Sequence, residues 1–561
     1  MRHLLAFAAC LPLLQACASD GARLQGAAQD PPASSAYGMF LAGQAALTSG
    51  DSRQASRLLD AARDAPGADD AVAEKAFTAA LLAGDVTRAA ALVPNGPDAS
   101  ESVKRMGALV RGVEAMAQGK GKEAYAQLTS NSIAFPHKAA AALVAPWAAA
   151  QSGDVDASLV PPQVRGDKVV EYFGTLGRGL LLERAGRFDA AEADLKAAGG
   201  GGQSELATLT YGGFLERRGR RLDAVALYES VLGLGESETI EAAKARAAAG
   251  GPAPPAPSLR EGAAQALLAP AATMIAARQP QIALAYLRLI LRLDPRRGDA
   301  WVMVGDLLMA GDDVPGARAA YGRVPPKTTD YVTAQGKIAW SYQQTGDQET
   351  AIRIARQAAA SGDRDARLTL ADLYRAYGRF QEAADVLAQL IKEGGKPDWR
   401  LLFGRAVAYE RLGRWSEAEA DLQTALKLKP DEPELLNYLG YSWIDRGVRL
   451  KEALALVEKA VAANPRSGAM MDSLGWAYFK LGDYKQAVEK LELAVELDAG
   501  DPEINDHLGD AYWKTGRRDE ALFQWRRVLT LGPDEKQKAA AEAKIASPSG
   551  ADAAAGKVAG S

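Results

Sequence analysis

Few side chains in this 561-residue sequence could catalyse a reaction or bind a metal. The sequence contains three histidines, His3, His137 and His507, and two cysteines, Cys10 and Cys17. Zinc sites and disulfide frameworks need several such residues at short spacings. The sequence has no such cluster, so we expect neither a zinc centre nor a disulfide framework.

Established catalytic motifs are missing as well. No HExxH and no GxSxG pattern occurs. The nearest approach to a phosphate-binding loop, Gly119-Lys120-Gly121-Lys122, lacks the hydroxyl residue that would follow the lysine. Metal binding by Asp506, His507 and Asp510 is conceivable, but the pattern is more typical of a partly exposed polar helix face. The sequence therefore predicts a protein that is not an enzyme and has no cofactor, metal or small-molecule substrate.

The remaining reactive candidate is Cys17, at the end of a short apolar run. Arg2 and His3 precede an apolar segment with the length of a signal-peptide core, too short to span a bilayer. The segment ends in Leu14-Gln15-Ala16-Cys17, which resembles the bacterial lipobox. This resemblance implies a signal peptide over residues 1–16, a lipidated Cys17 and a flexible tether over 17–35. The alternative is an ordinary signal peptide cut at Ala16-Cys17-Ala18.

The residue after Cys17 and the overall charge bear on location. In lipoprotein families an Asp directly after the lipidated cysteine retains the protein in the inner membrane, and here that residue is Ala18. The resemblance thus implies an outer-membrane protein that is lipid-anchored, faces the periplasm and contacts the membrane only through its anchor. Lys and Arg (66) nearly balance Asp and Glu (70), so we expect no nucleic-acid partner.

Internal repeats determine the architecture that carries these residues. Alanine recurs at a nearly constant spacing of 32 to 35 residues, interrupted by a single gap of 59. The recurring sites are Ala55, Ala89, Ala124, Ser158 in place of alanine, Ala191, Ala224, Ala283, Ala317, Ala351, Ala383, Ala418, Ala453, Ala487 and Ala521. A small residue, often glycine, lies about twelve positions before each site, and Gly-Asp or Gly-Arg pairs lie between. The pattern predicts two antiparallel helices per repeat, which pack closely through the small residues.

The gap of 59 residues divides the repeats into two blocks. We expect six hairpins in a divergent block over residues 36–232 and eight over 259–532, followed at 533–561 by a terminal helix and a disordered tail. Residues 233–258, with the run GPAPPAP at 251–257, predict an irregular Pro/Gly-rich linker. This linker separates two blocks, or it is a surface loop within one continuous superhelix.

The last three repeats carry the strongest family resemblance. Their sequences LNYLGYSWIDRG, MDSLGWAYFKLGDY and NDHLGDAYWKTG resemble tetratricopeptide repeats. The resemblance implies an all-α fold, a right-handed superhelical solenoid of about 14 hairpins. It also implies that the first helix of each hairpin lines a concave groove for protein partners. The groove residues implied in these repeats are Asn437, Tyr441, Ile444, Asp472, Trp476, Phe479, Asp506, Asp510, Trp513 and Lys514.

A narrower resemblance covers about residues 401–531. The succession LNYLGYSW, DSLGWAYFKLGDY and NDHLGDAYW is similar to the carboxyl end of outer-membrane tetratricopeptide lipoproteins that bind a carboxyl-terminal processing protease. It implies an adaptor that tethers a periplasmic serine protease and presents cell-wall hydrolases to it. The alternatives are a scaffold for envelope or exopolysaccharide assembly machinery and a cell-wall enzyme in the amino-terminal half.

Overall fold

Every regular element in the described part of the chain is a helix. The computed structural model describes residues 35–65, 70–96, 99–199, 204–235, 237–326, 328–394 and 398–546. These ranges contain thirty helices and no strand. The proposed lipidation site Cys17, the signal peptide, nearly all of the tether and the tail after residue 546 lie outside the described residues.

The packing of the helices divides the chain into two compact units, one within Ala28–Ala366 and one within Arg367–Ser561. The helices of the first unit are α1 (Ala36–Thr48), α2 (Ser52–Arg63), α3 (Asp70–Ala83), α4 (Val86–Leu92), α5 (Glu101–Ala117), α6 (Gly121–Leu128), α7 (Lys138–Ser152), α8 (Val155–Ser158), α9 (Lys168–Arg184), α10 (Phe188–Gly199), α11 (Glu205–Arg217), α12 (Arg221–Leu232), α13 (Glu238–Ala248), α14 (Leu259–Ala276), α15 (Pro280–Leu293), α16 (Gly298–Ala310), α17 (Val314–Tyr321), α18 (Asp330–Gln344) and α19 (Gln348–Ala359).

The second unit begins within α20 (Arg364–Ala376). It continues with α21 (Phe380–Glu393), α22 (Trp399–Arg411), α23 (Trp415–Leu428), α24 (Pro433–Asp445), α25 (Leu450–Ala463), α26 (Gly468–Leu481), α27 (Tyr484–Leu497), α28 (Pro502–Lys514), α29 (Arg518–Val528) and α30 (Glu535–Ala546).

Consecutive helices pair into the expected hairpins. Six hairpins form from α1–α12 and eight from α14–α29, while α13 and α30 follow each series singly. The recurring alanines all lie on second helices with 0% of their surface exposed, and Ser158 in the same position is 3% exposed. The all-α hairpin fold is therefore confirmed, because the small residue marks the contact between the two helices of each hairpin.

The turns inside the hairpins follow from the Gly-Asp pairs. Gly482 ends α26 with φ at +85°, a conformation that L side chains rarely adopt. The carboxylate of Asp483 then accepts the backbone N–H of Gln486, 3.1 Å away, and caps α27. The same side-chain cap occurs at Asp51, Asp85, Asp154, Asp313 and Asp347.

Glycine on the first helix permits the close approach of the second. A Cβ atom on Gly475 would lie 2.6 Å from Cγ of Leu491, and one on Gly509 would lie 2.5 Å from Nε1 of Trp525. Both distances are shorter than van der Waals contact. A larger residue at either position would therefore force the hairpin apart.

The hairpin α14–α15 packs against helices far away in sequence within the first unit. It contacts α3, α5, α7 and α9, the first helices of the second to fifth hairpins. The Arg288 guanidinium donates to the carbonyl of Leu82 over 2.9 Å, and Arg292 forms an ion pair with Glu114 at 2.7 Å. Four of the six first helices of this block, α3, α5, α7 and α9, are thus covered by a hairpin of the same chain.

Aromatic and polar contacts complete this packing. The hydroxyl of Tyr286 on α15 lies 2.7 Å from Nδ1 of His137, which precedes α7, and both side chains are buried. A Cβ on Gly262 of α14 would lie 2.1 Å from the Trp147 ring on α7, so only glycine allows this approach. Contacts between hairpins are thus not confined to neighbours in sequence.

The sequence predicts an irregular linker over residues 233–258, but the structure has a helix within this stretch. Helix α13 occupies Glu238–Ala248, and its Arg246 pairs with buried Glu216 of α11 at 2.6 Å. The proline-rich run also lies against α11, where Arg217 donates to the carbonyl of Pro254 over 3.0 Å. The first compact unit extends across this stretch to Ala366, because α14–α15 packs back onto the first hairpins.

None of the helices described is both long enough and apolar enough to cross a membrane.

Candidate protein-binding surface

The ten residues of the expected groove lie on α24, α26 and α28, the first helices of the last three hairpins. Four of these residues lie together around a stack of aromatic rings. Two further residues of this group, Glu503 and His507, were not among the groove residues that the sequence implied. We call this group the aromatic–histidine cluster; it consists of Tyr441, Asp472, Trp476, Phe479, Glu503 and His507.

Stacked rings form the centre of the aromatic–histidine cluster. The Trp476 indole stacks on the His507 imidazole at 3.9 Å between centroids and on the Phe479 ring at 4.5 Å, both nearly parallel. Trp476 and Phe479 are only 8% and 7% exposed. Replacing them by alanine would therefore remove packing between α26 and α28 as well as any contact with a partner.

The imidazole of His507 is held by a buried carboxylate. Its Nδ1 lies 2.9 and 3.0 Å from the two carboxylate oxygens of Asp472, and both residues are buried. Burial alone would lower the pKa of His507, but the charge and hydrogen bond of Asp472 outweigh it and raise the pKa to about 9. His507 is therefore a charged, enclosed residue and not a partly exposed polar one.

Tyr441 and Glu503 lie at the outer edge of the cluster. The Tyr441 hydroxyl on α24 donates to the carboxylate of Glu503 on α28. This hydrogen bond links α24 and α28 across the intervening α26. Burial, and then the charge of Glu503, raise the pKa of Tyr441. Glu503 is exposed and Tyr441 half-buried. This pair is consequently the part of the cluster that a partner could reach first.

Two of the expected groove carboxylates bind the chain's own last helix. The ammonium of Lys544 on α30 lies 2.8 Å from Asp506 and 2.7 Å from Asp510. Burial would lower the pKa of Lys544, but the charges of Asp510 and Asp506 outweigh it and raise that pKa. The indole N–H of Trp525 also donates to Asp510 over 3.1 Å. These carboxylates fix α30 and α29 to α28.

The other groove candidates differ in solvent exposure. Trp513 is half-buried, with the Arg518 guanidinium 3.5 Å above its ring. Asn437 and Lys514 are also half-buried. Ile444 has no exposed surface and lies in the hydrophobic core. Ile444 therefore does not line a surface, because its side of α24 faces the packed interior.

Three groove candidates have buried polar atoms with no hydrogen-bond partner among the described residues. These atoms are the side-chain oxygen of Asn437 and the indole nitrogens of Trp476 and Trp513. They lie on three successive first helices. Since an unpaired buried polar atom costs about 1–3 kcal/mol, each lowers the stability of the free protein.

The side chains around His507 do not converge on a metal site. His507 is directed to Asp472, whereas Asp506 and Asp510 are directed to Lys544. Over the ranges that the structure describes, no three His, Cys, Asp or Glu side chains are grouped as metal ligands would be.

Sequence reasoning missed Glu503, His507 and Lys544 as parts of this surface. Glu503 and His507 lie on the same helix as the candidates Asp506 and Asp510, so helical spacing could have included them. No comparable signal identifies Lys544, because its contacts depend on where α30 packs.

Comparison with known proteins agrees with the hairpin geometry. Residues 259–532 match the family model described as tetratricopeptide repeat. This part of the chain is accordingly similar in sequence to tetratricopeptide repeats. The match covers the eight hairpins α14–α29 and thus all of the aromatic–histidine cluster.

One sequence relative matches a short stretch of the chain, whereas solved structures match longer stretches at lower sequence identity. The chain is 35% identical over 111 residues to the TPR repeat-containing protein PA4667 of Pseudomonas aeruginosa, a match that spans 19% of either protein. Among solved structures, the APC/C hetero-tetramer Cut9-Hcn1 matches over 91% of this chain and 96% of its own, with 15% identity and a TM-score of 0.39. A thermophilic TPR protein of Thermus thermophilus matches 32% of this chain and 97% of its own, with 25% identity and a TM-score of 0.29.

Proposed function

We propose that the protein is a non-catalytic scaffold that binds partner proteins through the first helices α24, α26 and α28. The observation that carries this proposal is the row of unpaired polar atoms on Asn437, Trp476 and Trp513. An acceptor and two donors along one surface match what the backbone of a bound segment offers.

The energetics favour binding that rearranges this surface. In the free chain the three polar atoms are buried, so a partner reaches them only when their side chains turn outward. A partner that then pairs each atom recovers about 1–3 kcal/mol per group, which the free protein has lost. The exposed edge of Tyr441 and Glu503 provides the first contact before this rearrangement.

The finer proposal concerns location and partner. We infer an outer-membrane lipoprotein, anchored through Cys17 and facing the periplasm, that tethers a carboxyl-terminal processing protease and its cell-wall hydrolase substrates. Support comes from the lipobox-like Leu14-Gln15-Ala16-Cys17 and from the motif succession in residues 401–531. Holding enzyme and substrate on one chain raises their effective concentration without any catalysis by the scaffold itself.

Conservative substitutions test the surface. Trp476→Phe, Trp513→Phe and Asn437→Leu each remove an unpaired polar atom and keep most of the side-chain volume. Each should weaken binding of a purified carboxyl-terminal processing protease by about tenfold, the equivalent of about 1.4 kcal/mol. Thermal stability should stay unchanged or rise, because the unpaired group is gone. Biolayer interferometry and differential scanning calorimetry on the mature chain measure the two quantities.

Trp301→Phe is the matched control, because the Trp301 indole already donates to the carbonyl of Pro295 over 2.9 Å and lies in the other unit. It should leave protease binding unchanged. If the three test variants bind the protease as well as the wild type does, this surface is not the site. If the wild type fails to bind the protease, the finer proposal is wrong, and cross-linking from membranes is the route to another partner.

A further inference from the structure

We propose that a second surface, an apolar depression between α23 and α25, docks a peptide segment in which large apolar side chains lie beside carboxylates. This depression lies on the opposite side of α24 from Asn437 and Tyr441. It therefore goes beyond the binding surface proposed above, and the two can be tested separately.

The depression has a volume of about 410 Å³ and an apolar lining. Leu426 of α23 and Leu456 of α25 form its half-buried walls. Leu436, Leu439 and Trp443 of α24 form a floor that is 5% exposed or less. Concave apolar sites of this size are typical of ligand and peptide recognition.

The floor is held in place by a polar network behind it. The indole N–H of Trp443 donates to Glu419 over 2.9 Å, and Glu419 also accepts from Gln423 at the rim over 3.3 Å. The Arg449 guanidinium lies 5.1 Å from the Trp443 ring and 3.7 Å from Glu419. The shape of the depression is thus fixed before anything binds, which lowers the entropy cost of docking.

Arg449 holds an unfavourable backbone conformation in this network. Its φ of +47° lies in the left-handed region, where a side chain other than glycine costs about 1–2 kcal/mol. It is in the turn between α24 and α25 that places the guanidinium over Trp443. The contacts of Arg449 with Trp443 and Glu419 offset this cost, and they rigidify the floor of the depression.

The charges at the rim indicate the chemistry of the occupant. Lys427 and Lys459 line the depression from opposite helices, both exposed, and neither has an acidic partner among the described residues. The lining also includes the exposed carboxylate of Glu452, which lies in the first turn of α25, about two turns before Lys459 and thus toward the other end. By contrast, Arg414 and Arg449, which directly precede α23 and α25, both form ion pairs. Both lysines lie in the carboxyl halves of α23 and α25, which run parallel as second helices of successive hairpins. One end of the depression is therefore positive and suits carboxylates.

The chain's own tail is a poor occupant. Residues 547–561, SPSGADAAAGKVAGS, contain a single large apolar residue, Val558. Such a segment could not fill an apolar depression lined by several leucine side chains and a tryptophan. The occupant is accordingly a segment of another protein, with two or more large apolar residues and a nearby Asp or Glu.

Selection from a random peptide library tests this inference with the full mature chain as bait. Phage display of 16-residue peptides should enrich sequences in which Leu, Ile, Phe or Trp lie next to Asp or Glu. Against the variant Lys427→Glu/Lys459→Glu, the same library should enrich Lys and Arg at those positions. Both lysines are exposed, so the double variant should melt as the wild type does.

Synthetic peptides from the first selection then give affinities by fluorescence anisotropy. The double variant should bind an acidic peptide at least tenfold more weakly and its Lys-substituted counterpart more tightly. Lys485→Glu on α27, another exposed lysine without an ion partner in the described chain, is the control and should change neither affinity.

Three results would overturn the proposal. One is selection of peptides without acidic enrichment, and another is equal binding of acidic and basic peptides by wild type and double variant. The third is a change in binding to vesicles of anionic phospholipid, or in dimer formation by ultracentrifugation, as the only effect of the double variant. Trp476→Phe and Asn437→Leu should not alter peptide binding here, so failure of this proposal is distinguishable from failure of the proposed scaffold function.

Discussion

The imidazole of His507 is the most strongly constrained side chain of the candidate surface. It is stacked on Trp476, paired with Asp472, and also lies in the fields of the Glu503 and Asp506 carboxylates. A buried ion pair of this kind adds little net stability compared with an apolar pair, but loss of one partner is costly. It therefore fixes the register of α26 against α28 more than it strengthens the fold.

A pair of substitutions tests this interpretation. His507→Phe keeps the ring on Trp476 but leaves the Asp472 carboxylate buried without a partner, so the free energy of unfolding should fall by about 3 kcal/mol. Adding Asp472→Leu should restore most of it. Urea unfolding monitored by tryptophan fluorescence measures both variants. Equal stability of wild type and His507→Phe would mean that the carboxylate is already solvated.

The same pair predicts a pH dependence. The folded-state pKa of His507, about 9, lies above its ordinary value of 6.5. Folding therefore favours the protonated ring, and its contribution is complete below about pH 6.5 and is lost as pH rises through 9. Relative to the His507→Phe/Asp472→Leu variant, the wild type should lose up to about 3 kcal/mol of stability over this interval. A constant difference between the two proteins from pH 6 to pH 10 would contradict the assignment.

The resemblance to tetratricopeptide repeats implied part of this site. It assigned Tyr441, Asp472 and Trp476 to one groove, and the structure brings them together around His507. Spacing did not reveal that Trp476 and Phe479 are enclosed by each other and by His507, because burial depends on the packing of α26 against α28. The pairing of Asp506 and Asp510 with Lys544 could not be predicted from the sequence either, since it depends on the position of α30.

At the scale of elements, the hairpins could be predicted because each is a local unit. Alanine on the second helix and a small residue, often glycine, on the first allow the two helices to approach closely, so the pattern repeats from hairpin to hairpin. The placement of α14–α15 against α3, α5, α7 and α9 could not be predicted in this way. Leu82 and Arg288 are 206 residues apart, and no periodicity in the sequence records such a contact.

Protonation of His137 at low pH should weaken the packing of α15. Burial, and then the charge of Arg105, lower the pKa of His137 to about 4. The folded state thus holds the neutral ring beside the Tyr286 hydroxyl. Because the unfolded chain takes up a proton near pH 6.5, this contribution is present above that pH and is lost as pH falls toward 4, by up to about 3 kcal/mol.

Hydrogen exchange of peptides from α15, corrected for intrinsic exchange, measures this effect between pH 7 and pH 4.5. Protection of residues 280–293 should fall with pH in the wild type. The fall should be smaller in His137→Gln, whose side-chain carbonyl can accept from Tyr286 but does not titrate. The same pH dependence in both proteins would assign the effect to other groups, such as the buried Glu114 carboxylate.

At the scale of the whole molecule, the two compact units differ in how far their first helices are covered. In the first, hairpin α14–α15 covers the first helices α3, α5, α7 and α9, so that face is interior. In the second, α24, α26 and α28 retain half-buried groups and unpaired polar atoms, and α23 and α25 border an open depression. Both binding surfaces that we propose therefore lie in the carboxyl-terminal unit, and the proposed scaffold would act where the chain is anchored.

The proposed lipid anchor determines where the protein is held, and it is attached to a single atom, the sulfur of Cys17. If Cys17 carries the lipid, Cys17→Ala should abolish incorporation of an alkyne-labelled fatty acid and release the protein from the outer-membrane fraction, because no other thiol follows Cys17 in the sequence. Several acyl chains on one residue give stable anchorage that one chain does not. Cys10→Ala is the matched control, since Cys10 lies inside the apolar signal segment and should leave labelling and fractionation unchanged. Mass spectrometry of the mature amino terminus separates the alternatives: a lipid-modified Cys17 as first residue supports the anchor, whereas an unmodified terminus generated at the Ala16-Cys17-Ala18 site identifies a soluble exported protein.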